Sequence, residues 1–315
     1  MKTRTEPIQV ACVADDRFAP YCATMLHSLL VHCTGRRVAI HYLCPPELPA
    51  TTKNKLRKLI SDTEHSLTFH TIPDADVEGL PAMRGIERIV WYRVMLPELL
   101  PDTRRILYLD ADTLVADSVV PLWEIPLDGT TLAAVPNVIE PVARHRQLQA
   151  LGLPDAATYF NSGVMLMNLS AMREQECTSR TLAYAREAGT RLIWGDQDAL
   201  NAILATCYHQ LHPRWNCQNS LFSWPPARRM FGDEVVDDAI RNPAILHFGG
   251  SDLGRPWNYI CEHPYKDLYR SHLKKTPWGH LPLQGQTWKN MLKKHTPQSV
   301  LCAGRRVAKL IRERP

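Results

Sequence analysis

Two aspartates one residue apart, Asp110 and Asp112, close an apolar run in "RILYLDADTLVAD". Residues two apart on an extended chain point to the same side, so both carboxylates can face one cation. Hard oxygen ligands suit Mg2+ or Mn2+, and an added imidazole shifts the choice towards Mn2+. A metal held with open positions can bind a diphosphate and stabilise it as a leaving group. The competing reading is the polar end of a buried strand. The same spacing recurs at Asp74/Asp76 and Asp196/Asp198, so the pair is not distinctive by itself. Asp74/Asp76, in "IPDADVEG", reads as a solvated loop. Asp196/Asp198 reads as the start of a helix, with Asp196 as its cap and Asp198 near its positive end.

The elements around these groups follow a strand–helix alternation. "PIQVACVA", "RRVAIHYLC" and "SLTFHTI" read as strands, and "YCATMLHSLLVHC" and "PELPATTKNKLRKLISDT" as helices. "IERIVWYRVMLPELL" reads as a further helix stopped by Pro101. "RRILYLD", "TLAAV", "SGVMLMNL" and "AILHF" are continuous apolar runs, as expected of strands covered on both faces. Helices are expected over 169–188 and 196–206. The pattern is that of an α/β protein with a mostly parallel sheet flanked by helices. In such sheets ligands sit beyond the carboxyl ends of the strands. Asp15/Asp16, Asp110/Asp112 and His247 all fall at such ends.

The chain has 315 residues, enough for one large domain or two small ones, with 45% hydrophobic and 22% charged residues. Its nine cysteines are odd in number and include no C-x-x-C pair, which points to free thiols in a reducing compartment. The opening "MKTRTEPIQV" lacks the apolar stretch of a secretory signal, and no apolar run is long enough to span a bilayer. Residues 271–315 carry ten Lys or Arg and one acid, so the net charge of +5 belongs to this end and the rest is slightly acidic. A nucleic-acid surface on the main domain is therefore not expected. The division expected is a catalytic domain over 1–270 and a basic extension over 271–315. A dehalogenase-type phosphatase reading of D-x-D-x-T is weak, because Thr113 comes one position early and Leu114 stands in its place.

Six segments occur in order: "VACVADDRFAPY", "WYRVMLPELLP", "YLDADTLVADSVVPLWEIPL", "YFNSGVMLMNL", "WGDQDALNAIL" and "ILHFGG…GRPWN". Together, over roughly residues 8 to 260, they resemble glycosyltransferase family 8, most of all the bacterial lipopolysaccharide and lipooligosaccharide glucosyl- and galactosyltransferases. The resemblance implies a GT-A fold and retaining transfer of a hexose from UDP-glucose or UDP-galactose. It implies Asp110, Asp112 and His247 as ligands of Mn2+, with Mg2+ as the alternative. It places Val13, Asp15 and Asp16 at the uridine, and Ala111, Gly250 and Arg255 among the donor contacts. Arg93 and Asn161 fall at the donor sugar, the latter followed by Ser162 and by Gly163, which permits close backbone approach. Asp196 and Gln197 fall beside the anomeric carbon. A glutamine is a poor nucleophile, which favours front-face attack with Gln197 positioning rather than bonding. Departures from the family pattern include Arg17, Pro136-Asn137, and Arg255 where the family has lysine after a shorter link.

The alternative of a different class is a sugar-nucleotide or glycan-binding protein of the same fold without turnover. A nucleotidyltransferase is disfavoured by the lack of a glycine- and lysine-rich phosphate loop near the N-terminus. On a helical wheel, "SVLCAGRRVAKLIRERP" places Val300, Leu301, Ala303, Val307, Leu310 and Ile311 opposite Arg305, Arg306, Lys309 and Arg312. With Trp288, Met291 and Leu292 upstream, this suits an anchor at an anionic membrane surface. The competing reading is a helix packed on the protein's own body. The expected setting is the cytoplasmic face of the membrane, with a glycan or glycolipid acceptor.

Overall fold

The computed structural model describes residues 6–82, 88–139, 141–154 and 158–295. Among the described residues seven strands form the main sheet: β1 (Ile8–Val13), β2 (Val38–Cys44), β3 (Ser66–Thr71), β4 (Arg105–Leu109), β6 (Leu132–Pro136), β7 (Phe160–Asn168) and β8 (Tyr208–Gln210). Their order is β3-β2-β1-β4-β7-β6-β8. Every neighbouring pair is parallel except the two made by β7, which runs against both β4 and β6. A smaller sheet, β5-β10-β9, is built from β5 (Thr113–Val115), β10 (Ile245–His247) and β9 (Cys217–Gln218). This is the mixed α/β, mostly parallel architecture expected.

The apolar strands are explained by burial on both faces. Along β4, Leu107 and Leu109 enter one core while Ile106 and Tyr108 enter the other. Along β7, Val164 and Leu166 join the first core, Met165 and Met167 the second. The first core is covered by the helix Ala19–His32, whose buried Ser28 hydroxyl accepts from the Val115 N–H at 3.0 Å and donates to the Met25 carbonyl. The second is covered by the helices Cys177–Ala188 and Asp196–Leu204.

Two consequences of topology build one location. Because β7 is antiparallel, its first residues lie beside the end of β4, with Leu109 opposite Val164 and the Asp110 N–H donating to the Gly163 carbonyl at 2.8 Å. The chain then turns at Asp110–Asp112 directly into β5, where Thr113 pairs with His247 on β10 and the Phe248 N–H donates to the Asp112 carbonyl. The small sheet thus carries His247 to the aspartates from far along the chain.

Several local expectations are corrected. The stretch expected as one helix over 169–188 is two, Leu169–Glu174 and Cys177–Ala188, broken at Glu176, whose φ is +52°. "RIVWYRVM" is a 3-10 run, Arg88–Met95, leading into a single α turn, Leu96–Leu99. Asp196 does not cap its helix: Gly195 does, at φ +52°, and Asp196 lies inside the first turn. Residue 270 lies within the helix Lys266–Leu273, which packs on the helix Ala19–His32. The docked region continues to Gln284, whose side chain donates to the Tyr21 hydroxyl at 2.5 Å. The amphipathic segment over 299–315 lies outside the described residues. Eight described cysteines are free thiols, all but Cys207 buried. Among the described residues no helix is long and apolar enough to cross a membrane.

Asp198 anchors the second core rather than the chemistry. Its Oδ1 accepts from Gln147 Nε2 and the Tyr159 hydroxyl, each at 2.6 Å. Its Oδ2 accepts the N–H groups of Ile193 and Trp194 at 2.6 and 2.8 Å, tying down the turn that leads into the helix. Four donors satisfy this fully buried carboxylate, as burial of a charge demands. Tyr159 in turn accepts from Gln197 Nε2 at 3.2 Å, so the anchor also orients a residue of the cavity.

Candidate functional site

Asp110, Asp112 and His247 bring two carboxylate oxygens and an imidazole nitrogen within 4.8 Å of one another. His247 Nε2 lies 3.3 Å from Asp112 Oδ1 and 3.9 Å from Asp110 Oδ2. Burial alone would raise the Asp112 carboxyl, but the charge of His247 and its hydrogen bond, then Arg255, outweigh it and hold Asp112 below its usual value. Burial likewise works against the charged His247, and Asp112 and Asp110 overcome it, so the imidazole is raised.

The donor set fits Mn2+ or Mg2+: two hard oxygens, one borderline nitrogen and open space on the cavity side. Gly163 makes that packing feasible. A Cβ built there would meet His247 Cε1 at 2.3 Å, Asp110 Oδ2 at 2.8 Å and His247 Nδ1 at 2.9 Å. The ring and the carboxylate occupy the space a side chain would need.

Arg93 holds the second half of the site. Its guanidinium is buried, 3.0 Å from Asp110 Oδ1 and 3.0 Å from Asp196 Oδ2, and lies 4.7 Å from the Tyr108 ring centre. It also donates to the Ser162 carbonyl at 3.1 Å. Burial disfavours the Arg93 charge, yet the carboxylates of Asp110 and Asp196 more than compensate and raise it. Tyr108 donates to Asp110 Oδ1 at 2.8 Å. With Oδ1 thus engaged twice, Asp110 turns Oδ2 towards His247. Burial pushes the Asp196 carboxyl up to about 7 against the pull of Arg93.

These groups lie on the wall of one cavity of about 1150 Å³. Of the residues singled out from the sequence, Val13, Asp15, Arg93, Asp110, Ala111, Asp112, Asn161, Asp196, Gln197, His247, Gly250 and Arg255 line it. Asp16 does not: it is exposed and accepts from the Thr52 hydroxyl at 2.5 Å. Asp15 Oδ1 accepts the Phe18 N–H at 2.8 Å and its Oδ2 pairs with Arg17. Gln197 Oε1 accepts the Ser162 N–H at 3.0 Å. Asp74 and Asp76 sit exposed in a 3-10 turn, away from the cavity, as the loop reading expected. Sequence reasoning missed Tyr108, which reads as a core strand residue, and Tyr159 and Asn216, whose partners come from distant segments. The apolar wall formed by Phe222, Trp224 and Leu253 was missed as well.

Replacing Gly163 by Ala is expected to weaken Mn2+ binding by at least about tenfold, since His247 and Asp110 must both retreat. Isothermal titration with MnCl2 and a melting curve in EDTA check this; unchanged Mn2+ affinity in a folded Gly163→Ala protein would contradict it.

The chain matches the model of Glycosyl transferase family 8 over residues 9–261. General stress protein A of Bacillus subtilis (strain 168) is 29% identical over 281 residues, covering 88% of this chain and 96% of that protein. Lipopolysaccharide glucosyltransferase WaaO of Escherichia coli (strain K12) is 22% identical, with 94% of this chain and 88% of that protein covered. The galactosyltransferase LgtC, solved with donor and acceptor sugar analogues, superposes with a TM-score of 0.73 at 21% identity, over 86% of this chain and 96% of that one. That superposition gives the fold, GT-A, and the family match spans every residue of the cavity wall named above. The chain belongs to glycosyltransferase family 8.

Proposed function

We propose that this enzyme transfers glucose or galactose from its UDP derivative to a hydroxyl of a surface glycan or glycolipid, with retention at the anomeric carbon. The observation that carries this reading is the Asp110–Asp112–His247 trio on the wall of a cavity large enough for a sugar nucleotide. Bound between those three residues, Mn2+ would supply positive charge to the departing diphosphate, with Mg2+ as the alternative.

The remaining roles belong to the chain itself. Val13, Asp15 and Ala111 line the end of the cavity next to β1, suited to the uridine, and Asp15 offers a carboxylate to an N–H donor of the base. Asp16, turned to Thr52, is left out of this assignment. Arg255 lines the cavity with a buried Nε that has no hydrogen-bond partner among the described residues, which suits a phosphate oxygen. Arg93 and Asn161, both on the cavity wall, are assigned to the donor sugar in this reading, and Arg93 pairs with Asp110 and Asp196. Gln197 is clamped at both ends, its oxygen by the Ser162 N–H and its nitrogen on the Tyr159 hydroxyl. A clamped amide is suited to position the sugar, not to bond to it. In the front-face course the acceptor oxygen bonds to the anomeric carbon as the bond to the diphosphate oxygen breaks. The acceptor's proton passes to that departing oxygen. Asp196, beside Gln197, completes the polar wall there.

Incubation with a panel of UDP-sugars and Mn2+ is expected to release UDP from one hexose donor. The Asp112→Asn protein should release at least about a hundredfold less while keeping its melting temperature. Single-turnover mass spectrometry should find no sugar bonded to the protein; such an adduct would overturn the front-face course. UDP release from no donor, even with acceptor extracts, would favour a binding protein without turnover.

We further assign the chain to the cytoplasmic face of the membrane, attached through its basic C-terminal segment. In support, the helix Trp288–His295 exposes Trp288 by 67% and Leu292 by 58%, just before the basic amphipathic stretch read from the sequence. The full chain should sediment with anionic liposomes and a 1–285 form should not, with the difference lost in high salt. Equal partitioning of the two forms would refute the attachment.

A further inference from the structure

Asn216 stands just before β9, in "RWNCQ", with no charge or spacing to mark it. It is fully buried. Its Oδ1 lies 2.9 Å from His247 Nδ1, and its Nδ2 donates to Asn161 Oδ1 at 2.8 Å. Asn161 Nδ2 donates onward to Asn137 Oδ1 at 3.1 Å. Three amides and an imidazole thus form one line of hydrogen bonds.

Such a line can run in either of two senses, and one contact decides between them. The backbone N–H of Gly163 donates to Asn161 Oδ1 at 3.0 Å. A backbone N–H only donates, so the side-chain atom it meets is the amide oxygen. The Asn216 atom facing that oxygen is therefore the NH2, and the Asn216 oxygen faces His247. An amide oxygen only accepts, so His247 Nδ1 carries a hydrogen. In the neutral ring that a metal binds, Nε2, on the side of Asp112 and Asp110, is then the nitrogen that offers a lone pair.

We propose that Asn216 is a positioning residue that selects the metal-binding tautomer of His247, its own sense being set by Asn161 and the Gly163 N–H. The inference rests on the metal-site reading of Asp110, Asp112 and His247. Metal-bound histidines commonly donate their second nitrogen to a carboxylate or a carbonyl. Here the acceptor is a neutral amide oxygen, which adds no negative charge to the two ligand carboxylates. At its far end the relay uses the Asn137 oxygen and leaves that residue's NH2 as the donor group on the cavity wall. One sense of hydrogen bonding thus runs from His247 to Asn137, both on the cavity wall.

The test compares Asn216→Ala, Asn216→Asp and Asn216→Leu with the wild type. Mn2+ binding is followed by the electron paramagnetic resonance signal of free Mn2+, without nucleotide, and melting in EDTA reports on the fold. Asn216→Ala should lose about 10- to 100-fold in Mn2+ affinity. Asn216→Asp, which still accepts from Nδ1 but cannot donate to Asn161, should bind Mn2+ more tightly than Asn216→Leu, which matches the shape alone. If Asn216→Leu restores binding as well as Asn216→Asp, or if Asn216→Ala binds like wild type, the role is packing and the proposal falls. Should Asn216→Ala not fold, the aspartate and leucine forms still decide. A wild-type protein that binds no Mn2+ would instead overturn the metal reading beneath the proposal.

Discussion

The site depends on the approach of the His247 ring and the Asp110 carboxylate to the backbone at Gly163, closer than any Cβ permits. Gly163 contributes three times at that point. Its carbonyl accepts the Asp110 N–H, its own N–H orients Asn161, and its missing side chain leaves room for the imidazole. All three follow from the direction of β7. An antiparallel strand begins where its parallel neighbours end, so backbone from "NSG" meets the aspartates that close β4. A parallel β7 would start at the opposite edge of the sheet.

Electrostatics then distributes the carboxylates between two tasks. Asp110 is shared: one oxygen is held by Tyr108 and Arg93, the other is turned to His247. Arg93 couples Asp110 to Asp196, so a residue of the candidate metal site and a residue beside Gln197 are fixed by one buried cation. Burying such charges is costly unless each is paired, and breaking one pair leaves another unmatched. Asp198, close in sequence to Asp196, is satisfied by four donors and holds the protein together. Two aspartates of the same local motif thus divide into one facing the cavity and one facing the core.

Much of this was legible in the sequence where signals are local. Continuous apolar runs identified β4, β6, β7 and β10 because both faces of the sheet are covered. The pair at Asp110/Asp112 was legible as a strand-end motif, and Gly163 as a place of close approach. His247 was not: an isolated histidine in an apolar strand carries no mark, and only the ordered resemblance pointed to it. Asn216 carried no signal at all, because its partners Asn161 and His247 come from separate segments of the chain. The helix expected over 169–188 hides its break, since Glu176 adopts a left-handed conformation that nothing in its type announces. Asp196 looked like a cap because Asp is a common one, yet Gly195 takes that position and frees Asp196 to pair with Arg93.

Electron spin echo modulation of Mn2+ added to the wild-type protein reports whether Asp110, Asp112 and His247 hold one divalent ion, with His247 bonding through a single ring nitrogen. Nitrogen coupling from one imidazole is expected, with its loss in a folded His247→Gln protein. Absence of that coupling in the wild type, or its persistence without His247, would rule out His247 as a ligand.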